Sequence, residues 1–170
     1  MTEYDQMMAG WQQRLSRLNG RQLKYPFQRD CTELLLHMLG RHGPEKLNKA
    51  STYTRERRRW WLINRAVQLH GMLDALEQDR DYFAGRSGVF LCAYRSKVDG
   101  MLQPYELTLP EGFDKADKWP ALFAIHGTGS HYYYSLIALL ELGYKPITKW
   151  PMLCVGLDGR ADAAGLARRQ

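Results

Sequence analysis

The chain has 170 residues, of which 45% are hydrophobic and 25% charged, with a formal charge of +6 at pH 7. That balance argues against disorder. The charge is spread along the chain, with 14 Lys/Arg against 10 Asp/Glu in residues 1–85 and 10 against 8 in residues 86–170. This is too even to demand nucleic acid as a partner, and no apolar run approaches the roughly 20 residues that cross a bilayer.

The first 85 residues carry helical spacing. A first helix is expected from about Glu3 to Leu18, with Met7, Trp11, Leu15 and Leu18 on one face. Tyr25-Pro26 should interrupt the helical pattern, because the residue before proline is pushed out of the α region. A second helix is expected from about Arg29 to Leu39, its apolar positions Cys31, Leu34, Leu35 and Met38, with Gly40 and Gly43-Pro44 ending it. The third, from about Thr54 to Phe83, carries a stripe of Leu62, Ala66, Leu69, Leu73 and Leu76, which Trp60, Ile63 and Val67 should widen. Residues 1–85 therefore read as a helical N-terminal region, a small bundle or cap.

After Gly85 the texture becomes extended. Val89–Tyr94 and Leu102–Leu109 are strand candidates, and Val98-Asp99-Gly100 between them is a hairpin signal. Pro120–Ile125 reads as a short apolar strand of the kind buried on both faces of a parallel sheet. It runs into His126-Gly127-Thr128-Gly129-Ser130, then a helix from about His131 to Leu142, then a fourth strand, Met152–Leu157. Hairpin, strand, glycine turn, helix and strand make the opening of an α/β sheet over residues 86–170.

The turn at His126–Ser130 is the most informative site. Glycines let backbone N–H groups approach a ligand closely, and a helix N-terminus favours an anion there. The bland alternative is a tight strand–helix turn with Ser130 as N-cap.

The order of motifs narrows this. Ala93-Tyr94-Arg95-Ser96, Val98-Asp99-Gly100, Gln103-Pro104-Tyr105, Leu107-Thr108-Leu109-Pro110-Glu111-Gly112-Phe113 and Trp119-Pro120-Ala121 lead to His126-Gly127. This series, over roughly residues 88–160, resembles the front of bacterial esterases and prolyl-oligopeptidase-type peptidases of the α/β-hydrolase superfamily. The resemblance implies a partial α/β-hydrolase sheet and a serine hydrolase acting on a small-molecule ester or peptide substrate. It implies that Gly127 and Thr128 supply one backbone N–H of the oxyanion hole. His126, Tyr132 and Tyr133 would line the substrate side, with His126 shaping the turn rather than acting as base. Asp158-Gly159-Arg160 would lie near the rim.

The superfamily's G-x-S-x-G nucleophile turn is missing: none of Ser16, Ser51, Ser87, Ser96, Ser130 and Ser135 sits in it. The acid and base that follow the nucleophile are missing with it. The expectation is an N-terminal portion of a serine hydrolase, truncated and inactive by itself.

Other chemistries fit less well. Gly127-Thr128-Gly129 begins a dinucleotide fingerprint, but Tyr132 stands at its third glycine; a P-loop needs a G-K-[ST] that the chain lacks. Arg55, Arg57, Arg58 and Arg59 beside Trp60-Trp61 offer an interaction face for a non-catalytic module, or a solvated basic turn beside core tryptophans. Cys31, Cys92 and Cys154 are odd in number and widely spaced, which fits buried free thiols, and the five histidines show no metal-binding spacing. No cofactor, metal, nucleic acid or membrane is expected, and the oligomeric state stays open. MTEYDQMMAGW lacks the features of a signal peptide, so a cytoplasmic protein is expected, or a secreted or periplasmic one if the N-terminus is incomplete.

Overall fold

Three helices and four strands are described in the computed structural model, which covers residues 2–44, 52–115, 117–125 and 149–157. They divide between two units, Met1–Tyr82 and Phe83–Gln170. None of the described helices is long and apolar enough to cross a membrane.

The first unit begins where Thr2 caps α1 (Glu3–Arg17). Its hydroxyl accepts from the Asp5 N–H while the Asp5 carboxylate accepts from the Thr2 N–H, closing a capping box. Trp11, Leu15 and Leu18 are buried as their spacing demands, whereas Met7 is exposed. Helix α2 (Pro26–Arg41) starts three residues earlier than expected, with Pro26 at its first position. There the proline has no intrahelical hydrogen bond to lose and its fixed φ suits the helix. Helix α3 (Thr52–Glu77) buries Leu62, Leu69, Leu73 and Leu76. Trp60, Ile63 and Val67 do not widen that stripe: they are 67%, 45% and 66% exposed.

Helix α3 stops at Glu77, well short of Phe83. Asp79 adopts φ 54, the Arg80 N–H donates to the Ala75 carbonyl and the Asp79 N–H to that of Leu76. That is a Schellman C-terminus built on aspartate in the glycine role. The chain beyond it is held by Gln28 of α2, whose side chain is fully buried. Its Nε2 donates to the Arg80 carbonyl at 3.1 Å and its Oε1 accepts from the Tyr82 N–H at 2.7 Å.

Helices α1 and α3 are joined by charge. Arg14 donates to Asp74 and, through two nitrogens, to both oxygens of Glu77. Hydrogen bonding to Arg14 holds the Glu77 carboxyl below its ordinary value of 4.5. A carboxyl depressed on folding adds stability at neutral pH that is lost as pH falls through its folded value. Melting of the helical unit, followed by circular dichroism, should therefore weaken progressively below about pH 4.5. Arg14→Met should flatten that dependence. Its cost at pH 7 should be no more than about 1 kcal/mol, since the pair is partly solvated. An unchanged acid slope in Arg14→Met would contradict the assignment.

In the second unit β1 (Gly88–Arg95) and β2 (Leu102–Leu109) pair antiparallel. The Ser96 N–H donates to Met101 O and the Gly100 N–H to Ser96 O, with Gly100 at φ 70. The Asp99-Gly100 signal is thus the end of a longer loop, not a two-residue turn. After β2, Gly112 takes φ 74 and the Phe113 N–H closes back on the Pro110 carbonyl. This sets Phe113 against Trp119, with ring centroids 5.9 Å apart. Gly112→Ala has open space for its methyl group, so its cost is the left-handed backbone alone. About 1–2 kcal/mol is expected in urea unfolding.

Strands β3 (Ala121–Ile125) and β4 (Leu153–Leu157) are parallel to each other, and the sheet order is β1-β2-β4-β3. A helical region followed by a mixed sheet of this order is an open, incomplete α/β-hydrolase-like sheet. The last strand, β4, inserts between β2 and β3 and bonds to both, and one expectation changes. Strand β3 is not buried on both faces. Leu122 and Ala124 pack toward Cys154 with Trp150 and Met152, while Phe123 and Ile125 on the other face are 62% and 75% exposed. Among the described residues this edge strand has one neighbour, β4, and no second layer packs on Phe123 and Ile125. The expected helix at His131–Leu142 lies outside the described residues.

Candidate functional site

Strands β3 and β4 run in the same direction and end side by side, with Ile125 in register with Leu157. Neighbouring strands lie about 4.8 Å apart, so the segments that begin at His126 and Asp158 leave the sheet from adjacent positions at one end. In open α/β sheets the crevice beyond the carboxyl ends of parallel strands is where ligands bind. Tyr105 of β2 extends the same row, opposite Leu157.

The candidate residues themselves, His126, Gly127, Thr128, Tyr132 and Tyr133, lie outside the described residues, as do Asp158 and Arg160. What is described is the frame that delivers two of these segments: strand ends fixed by five registered pairs.

One row below the strand ends lies a residue that the sequence pattern did not single out. Glu106 is opposite Leu91 on one side and Gly156 on the other, and Gly156 is opposite Ala124. Glu106 is 7% exposed, and Thr108, two residues on and facing the same way, is fully buried with its hydroxyl unpartnered among the described residues. The residues in register with it across the sheet, Gly156 and then Ala124, carry little or no side chain. The only clue in the sequence was that glycine and alanine occupy the middle of otherwise bulky strands.

None of the three cysteines is in a disulfide, and all three are buried. Burial pushes the Cys154 thiol up, the opposite of what a thiolate nucleophile needs. Among the described residues no cluster of His, Cys, Asp or Glu could hold a metal ion. In the first unit Trp60 stands exposed with Arg59, whereas Trp61 is partly covered and meets His42 edge-on, with centroids 5.7 Å apart.

No family model matches the chain. No curated protein matches it. Among solved structures it is similar to the CE1 ferulic acid esterase of the anaerobic fungus Anaeromyces mucronatus, determined in the absence of substrate. That likeness has 22% identity and a TM-score of 0.31, and covers 46% of this chain. The chain spans 31% of that esterase.

Proposed function

We propose that the second unit is the opening of a serine-hydrolase domain that cleaves ester or peptide bonds by acyl transfer. The single observation that carries this is the end of β3: a strand parallel to an inner β4 hands the chain directly to His126-Gly127-Thr128. In α/β-hydrolases one oxyanion donor comes from the loop after the third strand. On this reading the Gly127-Thr128 turn presents a backbone N–H to the carbonyl oxygen as it gains charge. Such donors are worth about 2.7–4 kcal/mol in the transition state. His126, Tyr132 and Tyr133 border the substrate.

The nucleophile's neighbour supplies the second donor in that family, and these 170 residues contain no G-x-S-x-G. They hold one donor without the group that would use it. A fluorophosphonate probe should leave this chain unlabelled and should label a product extended by the downstream reading frame. An extension without G-x-S-x-G, or labelling of the 170 residues, would sink the assignment as stated.

The exposed stripe of α3 favours a second reading, a non-catalytic module. Trp60, Ile63 and Val67 follow one another at helical spacing on its outer side, with Arg59 beside them. Exposed apolar groups in such a row mark contact surfaces more often than isolated ones do. A partner bound there would blue-shift Trp60 emission, and Trp60→Ala would abolish the binding.

A further inference from the structure

Helix α3 carries its charge against its own dipole. Its first turn holds Arg55 and no acidic residue, and Arg57, Arg58 and Arg59 follow in the second. Its last turn holds Asp74 and Glu77 and no basic residue. A helix favours anions at its N-terminus and cations at its C-terminus, so both ends are reversed. Helix α1, with Glu3 and Asp5 first and Arg14 and Arg17 last, follows the rule. The acidic end of α3 is answered within the chain by Arg14. Its two carboxylates share that one guanidinium, with Arg17 a weaker influence on Glu77. At the basic end Arg59 is exposed and forms no ion pair among the described residues.

Between these ends lies the exposed row of Trp60, Ile63 and Val67, and half-exposed Asp74 continues it. At 3.6 residues per turn these four positions fall within an arc of about 60°. Arg59 and Glu77 lie about five whole turns apart, and so on one common edge of the row.

We infer that a second copy of this chain covers the row, its α3 antiparallel to the first. This rests on the exposed stripe being a contact surface and names what meets it. A two-fold pair sets residue i of one copy opposite j of the other, and j opposite i. In antiparallel helices matching edges meet, so Arg59 of one copy faces the partner's Glu77, and the same pair recurs at the other end. The axis then passes midway between positions 59 and 77. It brings the two Val67 side chains together and lays each Trp60 along the turn that carries the partner's Asp74. Each positive dipole end also lies beside a negative one. A parallel pair would set arginines against arginines. The chain itself holds both halves of the complementarity, which decides for a second copy over an unrelated acidic partner. One helix from each copy makes a contact below the roughly 1,200 Å² of a standard interface, so association is weak.

Thiol labelling at two concentrations tests it. The three native cysteines are buried, so Val67→Cys adds an exposed thiol in the middle of the row. Maleimide labelling should be fast at about 1 µM protein and about tenfold slower at about 500 µM, a range that brackets a weak interface. Adding Arg59→Glu should restore the fast rate at the higher concentration. Raised salt should do the same, because exposed ion pairs are screened. Sedimentation equilibrium of the unsubstituted chain should show a monomer–dimer equilibrium that Trp60→Glu abolishes. Arg59 and Trp60 both lie outside the buried core, so neither change removes packing from the fold. A chain that stays monomeric, with fast labelling at both concentrations, overturns the second copy and leaves the stripe to another partner. Slow labelling at both overturns the contact-surface reading as well, since the stripe is then covered within the chain. A dimer that Arg59→Glu or Trp60→Glu leaves intact overturns this arrangement.

Discussion

Gln28→Leu is expected to destabilise the helical unit by about 2–4 kcal/mol, although leucine is nearly the same size and more hydrophobic. Gln28 is fully buried and spends both ends of its amide on backbone, donating to Arg80 O and accepting from the Tyr82 N–H. Leucine would leave the Tyr82 N–H without that acceptor in a buried site, at about 1–3 kcal/mol. The Arg80 carbonyl is only partly buried and can recover some of its loss with water. Gln28→Glu distinguishes this from a packing effect. Its ionised carboxylate keeps the acceptor for Tyr82 but has no proton for Arg80 O, whereas the protonated acid has one. That variant should regain stability relative to wild type as pH falls, and Gln28→Leu should not. Urea unfolding across pH, with the denaturant slope unchanged, would check both.

The second large effect separates the two sides of α3. Leu69→Ala removes a side chain with no exposed area from the helical core, and about 2–5 kcal/mol should be lost. Val67→Ala, two residues away and 66% exposed, should change stability by less than about 0.5 kcal/mol. A Val67→Ala cost comparable to that of Leu69→Ala would mean that the outer stripe is packed in solution. Alone among these variants, Val67→Ala would then report on an interface rather than on the fold.

That contrast also shows where periodicity reaches its limit. Leu62, Leu69, Leu73 and Leu76 were legible because leucines at spacings of three and four define one seam. Trp60, Ile63 and Val67 obey the same spacing on another side, and nothing local distinguishes a second apolar stripe from a widened first one. Pro26 was misplaced for a related reason: proline breaks a helix from within but fits its first turn, and residue type alone does not say which turn it occupies. In the sheet, β2 matched its expected span because extended apolar runs are local. The burial of Glu106 and Thr108 was not legible, since it depends on β4 pairing alongside β2 from nearly 50 residues away. At the candidate site, motifs pointed to the turn residues, while the register of Ile125 with Leu157 came only from tertiary pairing.

The position of β4 inside the sheet has a consequence for synthesis. Strands β1 and β2 can zip together as soon as both leave the ribosome, because their pairing is local. Strand β3 emerges next, but no earlier strand is its partner: it bonds to β4, which follows after about 30 residues. At 5–20 residues per second, that leaves β3 and the free edge of β2 unpaired for roughly 1–6 s. The edge of β2 carries Glu106, but Leu122–Ile125 carries no charge to discourage pairing with a neighbouring nascent chain. The interval before Leu153–Leu157 arrives is therefore when the second unit is most exposed to misassembly, and slowing translation across residues 126–152 would lengthen it.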